Sequence, residues 1–222
     1  MSTSRTEILA RIRRAQQRAV LPDVTGITPP PPEPPSFDRP LIDVFEEALA
    51  AVQGRIHHLA SASEVADFMS DLCRQQGQDQ VLGWEDLPLP GLAEALAARG
   101  ITLIPSRLTS SDREKHYARL RDVQVGITGA AAGLARTGSI VLHADVHHGR
   151  LASLLPDIHI ALLPSNHLYP DIAAWLATDD AAARIAASSN TVIITGPSRT
   201  ADIAQTLTLG AHGPRELHVI LL

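Results

Sequence analysis

"SEVADFMSDLCRQQGQDQVLGW", Ser63 to Trp84, decides how this chain is read. Its first part opens on Ser63, an N-cap candidate, and closes at Gly77, so it reads as a helix. QVLGW then reads as a short buried strand. A helix feeding a strand through a glycine turn is the building unit of an α/β protein. The alternation continues on both sides. Upstream, LIDVFEEALAAVQG is helical and RIHHLA is a strand. Downstream, PGLAEALAARG is a helix stopped at Gly100, and ITLIP is a strand. DVQVGIT and SIVLHADV read as strands around a small-residue connection, DIHIALLP as a strand and LYPDIAAWLAT as a helix. TVIITG is a strand, PSRTADIAQTLTLG a short helix and ELHVILL the last strand. The expectation is an α/β fold with a mostly parallel, covered sheet.

Composition narrows the class. The chain has 222 residues, 45% of them hydrophobic, and a net charge of -5. That is enough for a sizeable core. No Lys/Arg stripe offers a footprint for nucleic acid. One cysteine, Cys73, excludes an intrachain disulfide and a multi-cysteine metal or iron–sulfur site. It sits beside Leu72 in a helix and reads as core. The opening MSTSRTEILARIRRAQQ lacks the apolar run of a signal peptide, and no stretch approaches a membrane span. A soluble cytoplasmic protein is expected, with no metal and no cofactor.

Residues Thr6 to Ala19 space Ile8, Leu9, Ile12, Ala15 and Ala19 at helical intervals among arginines, an amphipathic helix. PPPPEPPSFDRP, Pro29 to Pro40, is a stiff connector. Residues 1–40 are therefore expected to form an arm that docks on its own domain or on a partner, oligomerisation included. Residues 41–222 form the α/β domain.

Several segments carry polar groups beyond what a core needs. In TGPSRTADI, Gly196 and Pro197 follow a buried strand, and Pro suits the first position of a helix. Free N–H groups at Ser198, Arg199 and Thr200 would then face an anion at the carboxyl edge of a sheet. Arg199 offers a planar fork, and Asp202 can hold it. GITGAAAGLARTGSIVL is a tight crossover or a site with hydroxyls at Thr128, Thr137 and Ser139; its glycines do not match a dinucleotide or P-loop fingerprint. HADVHH would put His143, Asp145 and His147 on one strand face, where edge residues are more common than metal ligands. In PSNHLYPD, Ser165, Asn166 and His167 follow a strand's carboxyl end, where Ser165 or Asn166 capping the next helix is favoured over a pocket role. His212 lies in the return loop GAHGP.

Taken together, "GITGAAAGLARTGSIVL", "LLPDIHIALLP" and "TGPSRTADIAQTLTLGAHGPRELHVILL" resemble the lactate-utilisation C (LutC) family, built on the LUD domain. The resemblance covers the last part of the chain clearly and the region from Pro40 to Asp122 by its general pattern. It implies a three-layer α/β/α architecture similar to the NagB/RpiA/CoA-transferase group. It also implies work beside iron–sulfur partner subunits that oxidise L-lactate to pyruvate, with this chain as the cluster-free accessory. Thr137, Gly138, Gly196, Ser198, Arg199, Thr200, Asp202 and His212 fall on the family's motifs, and a small anionic metabolite is the ligand expected there. One position departs: where the family has an acid in A-E-T-G-T, this chain has Arg136. The alternative is a free-standing enzyme or a ligand sensor for a small phosphorylated or carboxylated metabolite.

Overall fold

The computed structural model describes residues 3–19, 35–107, 120, 122–201, 207–209 and 213–222. The chain divides into two compact units, Met1–Pro32 and Glu33–Leu222. In the first, α1 (Thr3–Arg18) is a single helix on which Ile8, Leu9 and Ile12 are exposed.

The second unit is built on six parallel strands in the order β1-β12-β7-β4-β2-β3. They are β1 (Arg55–His58), β2 (Gln80–Gly83), β3 (Thr102–Pro105), β4 (Val125–Gly129), β7 (Ile158–Leu163) and β12 (Glu216–Leu221). The last strand slots between β1 and β7, in register with both. Every residue of β4 and β7 is buried, which explains their nearly unbroken apolar runs. The expected mostly parallel α/β sheet is present.

Each face of that sheet has its own cover. Helix α3 (Ala62–Gln75) and helix α4 (Leu92–Ala97) pack Val65, Met69, Leu92 and Leu96 against Ile160, Leu162, Ile127 and Ile220. Burying each such side chain contributes about 1.5–3 kcal/mol. The N-cap of α3 is two residues earlier than the sequence suggests. Ser61, not Ser63, is the N-cap: its hydroxyl accepts from the Glu64 N–H at 3.2 Å, and the Ser61 N–H donates to the Glu64 carboxylate at 3.0 Å. Ser63 instead accepts from the Arg99 guanidinium at 2.7 Å, tying α3 to the end of α4.

The opposite face is covered by α2 (Leu41–Ala51), by the short α5 (Leu151–Leu154) and by a second sheet. That sheet has four strands in the order β8-β5-β6-β9: β5 (Ala132–Leu134), β6 (Ser139–Ala144), β8 (Leu168–Tyr169) and β9 (Asn190–Ile194). Its Ile140 and Leu142 share a core with Val44, Phe45 and Leu49 of α2, while Ala132, Leu134 and Val141 pack with Trp175 and Ala181. Those two residues come from α6 (Ile172–Leu176) and α7 (Asp179–Ala187). The single helix read over LYPDIAAWLAT is thus a strand followed by a helix. Asp171, rather than Ser165 or Asn166, caps that helix by accepting from the Ala174 N–H at 2.9 Å.

The largest correction concerns PSRTADIAQTLTLG. Arg199–Ala201 and Leu207–Leu209 form an antiparallel pair, β10 and β11. Pro197 therefore starts no helix, and no helix dipole points at Ser198 or Arg199. The preceding strand, β9, pairs antiparallel with β6 and lies outside the parallel sheet. Alternating apolar residues at Ile203, Leu207 and Leu209 satisfy either reading, and tertiary pairing decides it.

Helix α2 sits against bare backbone. A Cβ on Gly138 would lie 2.2 Å from the Leu49 nitrogen, and one on Gly196 would lie 2.4 Å from the Val52 oxygen. Both glycines also have positive φ, +60° and +79°. His218 and His159 are buried on opposite faces of the parallel sheet, and His57 is half-buried. His57 and His218 share a hydrogen bond of 2.9 Å under Phe68, and His159 bonds Thr128 at 2.9 Å. Burial, then the neighbouring His218, pushes His57 down to about 4. The same two causes push His159 down to about 3.

Two outcomes follow. Gly138→Ala should cost about 2–4 kcal/mol in urea unfolding, from strain plus overpacking. Gly77→Ala, at φ +65° with nothing within 4 Å, should cost only the smaller conformational part. Second, the unfolded chain takes up protons on these histidines below the ordinary value of 6.5, while the folded chain keeps them neutral. Stability should fall as pH drops from 6.5 toward 4. Urea midpoints across that range should decline less steeply in His57→Gln; an unchanged slope would remove His57 from the linkage.

Candidate functional site

At the carboxyl edge of the parallel sheet the strands β2, β4 and β7 end at Gly83, Gly129 and Leu163. After β4 the chain leaves the parallel sheet. The Ala130 N–H donates to the Leu162 carbonyl and the Ala131 N–H to the Val141 carbonyl, each at 2.8 Å, so one residue belongs to each sheet. The divergence of the two sheets opens a cleft of about 280 Å³. Trp84, Pro88, Ala130, Ala131 and Pro164 form its apolar walls. His143, His148, His167, Asp86 and Arg184 supply its polar groups. The outer ends of parallel strands are where open α/β sheets hold ligands.

Each polar group arrives on a different element. His143 is near the end of β6, and its Nδ1 shares a 3.0 Å hydrogen bond with the Thr191 hydroxyl on the paired strand β9. Thr191 in turn bonds the Ser188 hydroxyl at 3.1 Å. The other ring nitrogen of His143, Nε2, is buried and has no hydrogen-bond partner among the described residues. Burial, followed by the positive charge of Arg184, lowers the pKa of His143, outweighing the acids nearby. A neutral ring with one engaged nitrogen leaves the other free to donate or accept. His167 ends the 3₁₀ turn Ser165–His167, and its Nδ1 is also buried without a partner. Arg184, on α7, meets Asp180 through Nε at 2.6 Å.

His148 is held differently. Its Nδ1 lies 2.8 Å from Asp145 and its Nε2 lies 3.0 Å from Asp86. Asp145 also accepts from the His147 and His148 N–H groups at 2.7 and 2.9 Å. Burial alone would raise the Asp145 carboxyl, but the His148 ring and those two N–H bonds prevail and hold it at about 2. Trp84 leans on the His148 ring at 4.4 Å and donates from Nε1 to the Gly149 carbonyl at 3.1 Å. The segment HADVHH is therefore the end of β6 followed by a pinned turn over Asp145–His148, and His143, Asp145 and His147 do not share a strand face. Among the described residues no group of three or more side chains is placed to hold a metal ion.

The motif residues named from sequence gather elsewhere. Thr137 bonds Ser139 at 2.7 Å, and Ser139 bonds Thr195 at 2.8 Å, a run of hydroxyls joining the two motifs. Gly138 and Gly196 pack on α2, and Arg199 donates to the Val52 carbonyl at 2.8 Å. Arg199 thus closes the end of α2. The Ser198 N–H donates to the Pro214 carbonyl at 2.8 Å. With Gly196, Gly213, His159 and Leu217, Ser198 lines a mostly apolar cleft of about 180 Å³ near the starts of β7 and β12. This is the amino edge of the parallel sheet, not its carboxyl edge. Arg136 is exposed. Thr200 lies in β10, while Asp202 and His212 lie outside the described residues. The sequence alone puts Gly196, Pro197 and Ser198 beyond the carboxyl end of a parallel strand; they follow an antiparallel strand and lie at the amino edge. The signals for the carboxyl-edge cleft were His143, and His167 just past DIHIALLP.

A model of the LUD domain matches residues 42–222. Lactate utilization protein C of Macrococcus caseolyticus is 31% identical over 159 residues, covering 69% of this chain and 66% of that protein. The protein of the same name from Bacillus subtilis is 34% identical over 111 residues, 49% of this chain and 46% of that one. An uncharacterized protein of Neisseria meningitidis is 34% identical over 101 residues, 46% of this chain and 43% of that one. The aligned part spans from less than half to about two thirds of these relatives' lengths. The crystal structure of a DUF162 family protein from Deinococcus radiodurans superposes with a TM-score of 0.54 at 21% identity, covering 82% of this chain and 95% of that one. It supports the fold.

The charge state of His143 is directly measurable. In a ¹⁵N-labelled sample its ring should titrate below the ordinary 6.5 and report a neutral imidazole at that pH. A midpoint at or above it would mean that the ring is solvated rather than buried in the cleft.

Proposed function

This chain belongs to the LUD domain family, and from that premise we propose that it serves L-lactate utilisation as a cluster-free subunit. The observation that carries the reading is its similarity to several proteins named Lactate utilization protein C. Oxidising lactate to pyruvate releases two electrons, which an iron–sulfur cluster can carry. This chain's one cysteine, Cys73, is buried in α3, and burial, then Asp79, pushes the thiol up to about 11. A lone protonated thiol cannot hold an iron–sulfur cluster. The electron carriers would therefore be iron–sulfur partner subunits, and this chain would supply a small-anion site and a docking surface. The carboxyl-edge cleft is the place offered for the anion. Its open ring nitrogens also favour a second reading, a free-standing enzyme or sensor for a small carboxylated metabolite.

Removing the gene from its source organism should impair growth on L-lactate and leave growth on glucose intact. The full chain, tagged and recovered from lactate-grown cells, should bring down iron–sulfur proteins. Normal growth on lactate together with recovery of no iron–sulfur protein would overturn the proposal.

A further inference from the structure

We propose that the carboxyl-edge cleft binds a small carboxylate with a hydroxyl or keto oxygen on the adjacent carbon, taken at one end by Arg184 and at the other by His143. The ligand class rests on the lactate reading above; the place rests on geometry.

Two buried ring nitrogens, His143 Nε2 and His167 Nδ1, belong to side chains that line one cleft, and both lack partners among the described residues. Buried polar groups in folded proteins are nearly always paired, so two exceptions lining one cavity mark where a ligand's oxygens go. Both nitrogens can serve as donor or acceptor by choice of tautomer, which suits a hydroxyl and a keto oxygen equally. His143 is fixed for this work by Thr191 on its far side.

Arg184 supplies the charge. Its salt bridge uses Nε, so among the described residues the terminal nitrogens remain for a second carboxylate. The two acids beside the cleft are both engaged by His148. Asp145 accepts from two backbone N–H groups and the His148 ring, and Asp86 faces the same ring. Size limits the ligand further. A cleft of about 280 Å³ is at the small end for metabolite sites, which favours a small ligand. The wall of Ala130, Ala131 and Pro88 accepts a short aliphatic group.

The test is calorimetric titration of the full chain with L-lactate, pyruvate, propionate and inorganic phosphate. Lactate or pyruvate should bind at least tenfold tighter than propionate, which lacks the second oxygen. Arg184→Gln should weaken lactate and pyruvate at least tenfold. His143→Asn, which keeps an amide facing Thr191, should erase the preference over propionate. Arg74→Gln, on α3, should change nothing. If a variant fails to fold, lactate added to the ¹⁵N-labelled parent protein should shift the His143 Nε2 resonance. Absence of saturable binding in the millimolar range overturns the proposal, as does wild-type affinity in folded Arg184→Gln. Equal binding of phosphate and lactate overturns the ligand class. Failed binding beside impaired lactate growth removes the cleft alone and leaves the lactate role standing. Intact binding beside normal lactate growth and no captured partner removes the lactate role alone.

Discussion

Helix α2 lies directly on backbone at two places, and the relation between the two sheets depends on that contact. Gly138 meets it at Ala48 and Leu49, and Gly196 meets it at Val52. These glycines end the 3₁₀ turn before β6 and the strand β9, so both outer turns of the second sheet are fixed to one helix. The same helix buries Val44, Phe45 and Leu49 in the core shared with the parallel sheet. Arg199 adds a hydrogen bond to a carbonyl at the helix end, where such groups lack intrahelical partners. A side chain at either glycine would push α2 away and change the angle at which the sheets diverge. The cleft at the carboxyl edge is a product of that angle.

Much of the frame was legible because buried parallel strands leave a strong trace. VGITG, IHIALL and ELHVIL are apolar enough on both faces to be read one by one. Helix α3 was legible from its ends, although its cap is two residues earlier because Glu64 answers Ser61 rather than Ser63. What periodicity could not show was which sheet a strand joins. TVIIT looks like a buried parallel strand, yet its residues are half-exposed and it pairs antiparallel with β6. Once β9 is placed in the second sheet, GPSRT can no longer stand at a carboxyl edge.

The same ambiguity misassigned the polar vocabulary. Gly, Pro, Ser and Arg after a strand fit a phosphate loop, and they fit equally well a turn that packs on a helix. The difference lies in what meets the glycine: here it is Val52, part of this chain. The cleft residues left a fainter trace. His143, His148 and His167 stand on a strand, a turn and a 3₁₀ segment, and nothing in their spacing says that they converge. The rule that ligands sit beyond the carboxyl ends of parallel strands would have found His167, since it follows β7 directly.

The division of labour between the two edges has a physical logic. At the amino edge several described polar groups bond within the chain: the Ser198 N–H to Pro214, one Arg199 nitrogen to Val52, and Thr137, Ser139 and Thr195 to one another. A site whose donors are already satisfied gains little from a ligand. At the carboxyl edge the fixed groups and the open ones are separated. Asp145, Asp86 and Trp84 hold His148, and Thr191 holds His143. The nitrogens left over, on His143 and His167, belong to side chains that line the cleft. Rigid support with unspent hydrogen-bonding capacity is what lets a small ligand bind without first paying to order the site.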